Sequence, residues 1–433
     1  MFPIKNIRAF EFLDSRGNPT VAVEVEIETG ESALAIVPAG ASKGKNEAVE
    51  IRDGDKRYFG KGVRKAISNV EKIFEIIKGK DASDQYSIDS EMIKLDGTEN
   101  KSKLGANAIL GISLACAKVS AKKNNQELFD YLRKIFGNRN PSIPVPLCNV
   151  INGGEHAGWN IDFQEYMIVP AGFDSFEESI RCASEIFHTI KKFLSEKSIS
   201  VGVGDEGGFA IPSKNNEEPL EILTYATEKA GYRIGEQVWF ALDVASSSFY
   251  DDDKKLYVLR RENKKLNSDE MIDYILKLCQ KYPIISVEDG VSETDWDGWK
   301  KITSAIGKRV QLVGDDVFVT NPKIFRKGID QGIGNSILVK VNQIGTLTET
   351  FDVIKTAKYS GYTTVISHRS GDTEDTFIAD LAVAVDSRQI KTGSLSRSER
   401  IAKYNRLIYI ERKFGIKFSG RSAFSFILDD FSA

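Results

Sequence analysis

Histidine, methionine and tryptophan are scarce in this chain of 433 residues, at 3, 4 and 4 copies, and cysteine occurs only 4 times. The cysteines (Cys116, Cys148, Cys182, Cys279) lie far apart in apolar or helical settings, with no C-x-x-C pair and no zinc-like spacing. That excludes a disulfide scaffold and a cysteine-held zinc, and fits reduced thiols in a cytosolic compartment. An excess of one charge is also missing, since 59 basic and 62 acidic residues leave −3. No basic field exists to bind a nucleic-acid backbone or an anionic membrane, so any anionic ligand must be held by a local site. Long apolar runs are absent too. The N-terminal stretch carries Lys5, Arg8, Glu11, Asp14 and Arg16, unlike a secretory signal. The most apolar segment, Asn107 to Ala117, is too short to span a bilayer and reads as a buried helix. What remains, 41 % hydrophobic and 28 % charged residues, is the make-up of a soluble cytoplasmic protein. The length suits a small domain plus one barrel of about 250 residues.

The N-terminal part alternates with period two from Phe10 to Leu13 and from Thr20 to Glu28, across a turn-rich Asp14–Pro19. A third strand is expected from Ala33 to Pro38, and helical periodicity takes over at Val63–Ile77 and Asn107–Lys122. Strands followed by helices indicate an α+β domain. The cluster from Gly137 to Pro146 marks the boundary, dividing residues 1–137, an N-terminal capping domain, from residues 138–433. Beyond it, short apolar runs ending in polar residues recur roughly every 25 residues after one longer gap. They end at Asp243, Glu288, Asp315, Lys340, His368 and Lys391. The intervals read as helices; Asn267 and Glu270 are placed like a capping box for one of them. The longer gap accommodates a hairpin from Phe249 to Leu259. Such regular alternation predicts an α/β barrel of parallel strands, with its chemistry at their C-terminal ends.

Asp243, Glu288 and Asp315 then stand at one level on three consecutive strands. Carboxylates so close repel unless a cation joins them, and oxygen ligands without Cys or His select Mg²⁺. The alternative is that each acid caps the helix after it. Lys340 sits in SILVKVNQ, where burial and a neighbouring cation favour the neutral amine and make it a candidate general base. Its alternative is a lysine reaching solvent from a strand tip. Arg369 and Lys391 at the same mouth would bind a phosphate, although the stretch from Ser367 through His368 to Ser370 also reads as an ordinary polar loop. Upstream lie Asn152–His156, Gln164-Glu165 and Gly204–Gly208 with Asp205 and Glu206 between glycines. Two of the three histidines, His156 and His368, fall in these clusters, whereas His188 reads as a packed helix residue. Gly202–Gly207 matches G-x-G-x-x-G but offers carboxylates where a dinucleotide site needs bare amides, and is rejected.

LDSRGNPTVAVEV, NGGEHA, FQEYMIVPAG, VGDEGGF, SVEDG, LVGDD, LVKVNQIGT, SHRSGDTEDTFIADL and QIKTGSLSRSER resemble the enolase family nearly end to end. The resemblance implies an enolase-type β/α barrel with a smaller N-terminal α+β domain that carries a lid loop. It also implies reversible, Mg²⁺-dependent dehydration of 2-phospho-D-glycerate to phosphoenolpyruvate in glycolysis and gluconeogenesis, stepwise through an enediolate. By it, Asp243, Glu288 and Asp315 match the ligands of the tighter magnesium, and Ser42 matches the ligand of a second that enters with substrate. Lys340 matches the base and Glu206 the acid, with His156, Gln164 and Glu165 around it. Ser367, His368, Arg369, Ser370 and Lys391 match substrate contacts. A lysine base with Mg²⁺ is a known pattern of enolase-superfamily sites. The family also implies a homodimer or an octamer built from dimers, and a secondary cell-surface or secreted pool. Roles as a partner in RNA-degradation or cell-surface assemblies, or in turnover of a related phosphorylated acid, are the competing readings. The chain departs from the family pattern at Lys43, Asn46, Trp159, Ser248 and Arg388.

Overall fold

The computed structural model describes residues 1–40 and 44–428. Its N-terminal part is an antiparallel meander of Ile4–Leu13, Pro19–Ile27 and Ser32–Ile36, in that order across the sheet. Asp14 closes the first turn by accepting the amides of Arg16 and Asn18 at 2.8 and 2.9 Å. The first strand starts at Ile4, well before the expected Phe10. Its early half is held by cross-strand ion pairs, Lys5 to Glu26 at 2.7 Å and Arg8 to Glu24 at 3.7 Å, so apolar alternation does not reveal it. The third strand ends at Ile36, short of the expected Pro38, which donates no ladder hydrogen bond. The helix Ala106–Lys123 is buried nearly all round and lies against this sheet. Gly111 permits the approach, since a Cβ there would stand 2.5 Å from Val23 Cγ2.

The second part is the β/α barrel. The six apolar runs become the strands Trp239–Asp243, Ile284–Glu288, Gln311–Gly314, Ser336–Val339, Thr363–Ser367 and Gln389–Lys391, each parallel to the next. Two further staves close the ring. Val145–Pro146 pairs with Gln389–Lys391, and Cys148–Asn152 directly after it pairs with Glu165–Val169, which pairs with Trp239–Asp243. Glu165–Val169 runs antiparallel to its neighbours, against the expectation of parallel units alone. The cause is connectivity: it returns from Cys148–Asn152 without an intervening α-helix, and a direct return gives antiparallel strands.

This reversal matters for the site. Along the Glu165–Val169 pairing, Val169 faces Trp239 and Met167 faces Ala241, apolar layers of the barrel interior, and Glu165 then meets Asp243 at the mouth. The first residue of the reversed strand thus reaches the level that the last residues of its neighbours reach. The expected hairpin excursion is a small three-stranded sheet reaching past Leu259 to Leu266. The helix Ser268–Lys281 carries the capping box at Asn267 and Glu270. His188 lies in the helix Phe176–Glu196, but on its exposed side, against the edge of Phe187 and not packed in the core. The four cysteines are free. Among the described residues no helix is long and apolar enough to cross a membrane.

The N-terminal part reaches the mouth directly. Ala39 and Gly371 exchange backbone hydrogen bonds of 2.7 and 2.9 Å, and Glu47 pairs with Arg369 at 3.1 Å. Ser42 and Lys43 lie outside the described residues.

Candidate active site

A cavity of about 330 Å³ opens at the C-terminal ends of the barrel strands. His156, Gln164, Glu165, Glu206, Asp243, Asp315, Lys340, Ser367, His368, Arg369, Ser370 and Lys391 all line it. Glu288 is set behind them, under the Lys391 ammonium. Lys391 is 2 % exposed, and its Nζ donates to Asp243 Oδ2 and to both Glu288 oxygens at 2.9 Å, with Glu165 Oε1 at 3.0 Å. Burial works against its charge, but Asp243, Glu165 and Glu288 raise its pKa well above the ordinary lysine range. Among the described residues Lys340 pairs with a single carboxylate, Asp315. Burial was expected to favour its neutral form; here Asp315 outweighs burial and holds the amine above its usual value.

Lys391 therefore joins Asp243 to Glu288, while Asp315 pairs with Lys340. Gln164 donates to Asp243 at 3.1 Å and Gln343 to Asp315 at 3.0 Å. Among the described residues, the triads whose ligating atoms lie within 4.8 Å of one another are His156–Glu165–Glu206 and Asp289–Asp315–Asp316. Negative charge is in surplus around the cavity. Burial, with Asp243 beside it, pushes Glu288 well above the carboxylate range; burial and Asp315 push Asp316 to about 8. A hard divalent cation fits the Asp289–Asp315–Asp316 triad, which is all oxygen, over-supplied with acid and largely buried.

Glu206 is held by a tight glycine loop. Gly204 and Gly208 close it with a 2.8 Å hydrogen bond, and a Cβ on Gly207, whose φ is +89°, would stand 2.6 Å from the Ser396 carbonyl oxygen. The rejected dinucleotide pattern indeed leads into the short strand Phe209–Ala210 and opens no helix. Asn149 donates to Glu206 Oε2 at 2.9 Å, while His156 Nδ1 and His368 Nε2 stand 3.6 and 3.7 Å from Oε1. Burial favours a proton on Glu206, yet His156, Arg400 and Lys391 hold it well below the usual range. Glu165 goes the other way: burial and the Glu206 charge raise it, so the proton of this pair rests on Glu165. Among the described residues, Glu165 Oε2, His156 Nδ1 and His368 Nε2 are buried without a hydrogen-bond partner. Three such orphans from separate segments converging on one void mark a place built for a ligand.

Arg369 is buried and bonds Glu47 and Asn342, each at 3.1 Å. Trp159 and Ser248, two departures from the family pattern, also line the cavity; Arg260 lies 5.1 Å over the Trp159 ring. Sequence reasoning missed Asp289, Asp316, Glu293, Gln343 and Arg400. The first two are visible in hindsight as the doubled acids of SVEDG and VGDD. Asp289 accepts the amides of Asp315 and Asp316 at 3.0 and 2.9 Å and so sets the neighbouring loop. Gln343 and Arg400 carry no local signal, because each acts from an element distant in sequence from its partner.

Fold and site together define a β/α-barrel protein with a carboxylate–lysine centre at the barrel mouth, capped by an α+β domain. Residues 140–426 match the family model described as enolase, C-terminal TIM barrel domain, and residues 4–132 match that of the enolase N-terminal domain. The chain belongs to the enolase family.

Proposed function

We propose that this protein is a hydro-lyase that reversibly dehydrates 2-phospho-D-glycerate to phosphoenolpyruvate. One observation carries the reading. In the ring of eight staves the Lys340 strand and the Glu165 strand stand four positions apart, so a lysine and a proton-sharing glutamate pair face each other across one cavity. That arrangement suits removal of a proton from one face of a substrate and protonation of a leaving hydroxyl on the other.

In this reading Arg369, Ser370 and Lys391 bind the phosphate and carboxylate, with Ser367 and His368 beside them. Lys340 takes the α-proton, and its electron pair passes into the carboxylate to give an enediolate. The pair then forms the new C=C bond as the 3-hydroxyl leaves, protonated by Glu206, to which Glu165 is the adjacent proton store. His156 and Gln164 hold the acid side in place. Asp243, Glu288 and Asp315 would hold one Mg²⁺ and Ser42 a second arriving with substrate. When bound, such ions supply the positive charge a carboxylate dianion needs and engage the acid that otherwise keeps Lys340 protonated.

The test is the ultraviolet absorbance of enol product formed from 2-phosphoglycerate. Product is expected with Mg²⁺ and none after chelation, with recovery on adding the metal back. Equal rates in chelated and loaded samples, or no product in either, would overturn the proposal.

A further inference from the structure

Behind His368 lies a residue that does not itself line the cavity. Arg400, in the first turn of the helix Ser398–Phe414, is fully buried. Its Nη1 lies 2.6 Å from His368 Nδ1 and donates to the Arg369 carbonyl at 2.6 Å. Its Nη2 donates to the carbonyls of Ser370 at 2.7 Å and Asp205 at 3.1 Å. Glu399 and Asp372, at 3.3 and 3.6 Å, balance its charge. The stem passes over Gly393, whose φ is +88° and where a Cβ would stand 2.7 Å from Arg400 Cδ. One guanidinium therefore ties the loop before Glu206 to the loop carrying Arg369 and Ser370.

A guanidinium has only donors and keeps its proton at any ordinary pH. Its contact with His368 Nδ1 requires that nitrogen to be the acceptor, which leaves the ring proton on Nε2. His368 Nε2 is one of the orphaned atoms at the cavity, 3.7 Å from Glu206 Oε1 and so able to donate to an oxygen of a bound ligand. A second proton on the ring would have to sit on Nδ1, against the guanidinium. Burial, reinforced by Arg400, Lys391 and Lys340, keeps the imidazole neutral against the pull of Glu206.

We propose that Arg400 is a positioning residue that fixes His368 as a neutral Nε2–H donor aimed at the substrate's reacting end. The role of that donor rests on the dehydration reading, but the state of the ring can be measured without turnover. With only 3 histidines in the chain, ¹⁵N-histidine labelling and a long-range ¹H–¹⁵N correlation resolve His368, assigned with His368→Gln. The unmodified protein should show a protonated Nε2 and a bare Nδ1 from about pH 6 to about pH 8. Arg400→Gln should lose that pattern, giving mixed tautomers or a ring that titrates in this range, and Arg400→Lys should keep it. In turnover, Arg400→Gln should lower kcat by about 10–100-fold with KM for 2-phosphoglycerate within about twofold, and Arg400→Lys should recover most of the loss. A wild-type ring protonated on Nδ1, or an unchanged pattern in Arg400→Gln, would overturn the proposal. If Arg400→Gln fails to fold, the wild-type and Arg400→Lys spectra still decide the tautomer. Correct spectra from a protein that does not turn over 2-phosphoglycerate would reject the dehydration reading and leave the Arg400 assignment standing.

Discussion

Lys391, buried, and Lys340, half-buried, both stand at the tips of parallel barrel strands, yet their surroundings differ. Lys391 is enclosed by three carboxylates, from Glu165, Asp243 and Glu288, and its side chain is 2 % exposed. Lys340 has one carboxylate partner among the described residues, Asp315, itself shared with Gln343, and its side chain is 15 % exposed. A cation with three partners is a fixed charge. A cation with one partner loses its proton when that partner is engaged elsewhere, because burial then acts on it alone. Two copies of one residue type are thereby given different chemistry by the number of acids around them. The same logic separates Glu165 from Glu206, where His156, Arg400 and Lys391 decide which carboxyl keeps the proton.

The comparison can be broken most directly at the base. Lys340→Ala should lower turnover by at least about 10³-fold and abolish exchange of the substrate α-proton with deuterated solvent, followed by NMR. Next comes Glu206→Gln, which should cut dehydration by about 10²-fold or more while leaving that exchange in place; loss of both would contradict the division of labour. Stability reverses the order of the lysines. Lys391→Met removes the cation shared by Asp243, Glu288 and Glu165 and should cost about 3–5 kcal/mol in urea unfolding, part of which Mg²⁺ should return. Lys340→Ala leaves Asp315 its hydrogen bond from Gln343 and should cost only about 1 kcal/mol. Equal costs for the two variants would erase the contrast. The smallest effect is expected at His188, where alanine should change stability by less than about 0.5 kcal/mol because the side chain lies on the surface.

Much of the fold was legible before the structure. Strands from Trp239 to Lys391 announced themselves as buried apolar runs with a polar end, because a parallel strand between helices has no solvent face to alternate with. The capping box at Asn267 and Glu270 was legible for a similar reason, being local chemistry within one turn. The early half of the first strand was not, since its pairing rests on Lys5 and Arg8 meeting acids of the next strand. Nor was the reversal of Glu165–Val169, which depends on how its chain returns to the sheet.

The sequence by itself determined which residues end the six parallel strands at the mouth, because strand periodicity and strand ends are properties of contiguous stretches. It also set the charge inventory from which any ligand site had to be built. Only the tertiary structure decided which charge each residue carries: that Asp243 and Glu288 share Lys391, that Asp315 holds Lys340, that Glu165 takes the proton from Glu206. Those outcomes depend on distances of 3–4 Å between segments far apart in the chain, and on the burial that makes such distances count.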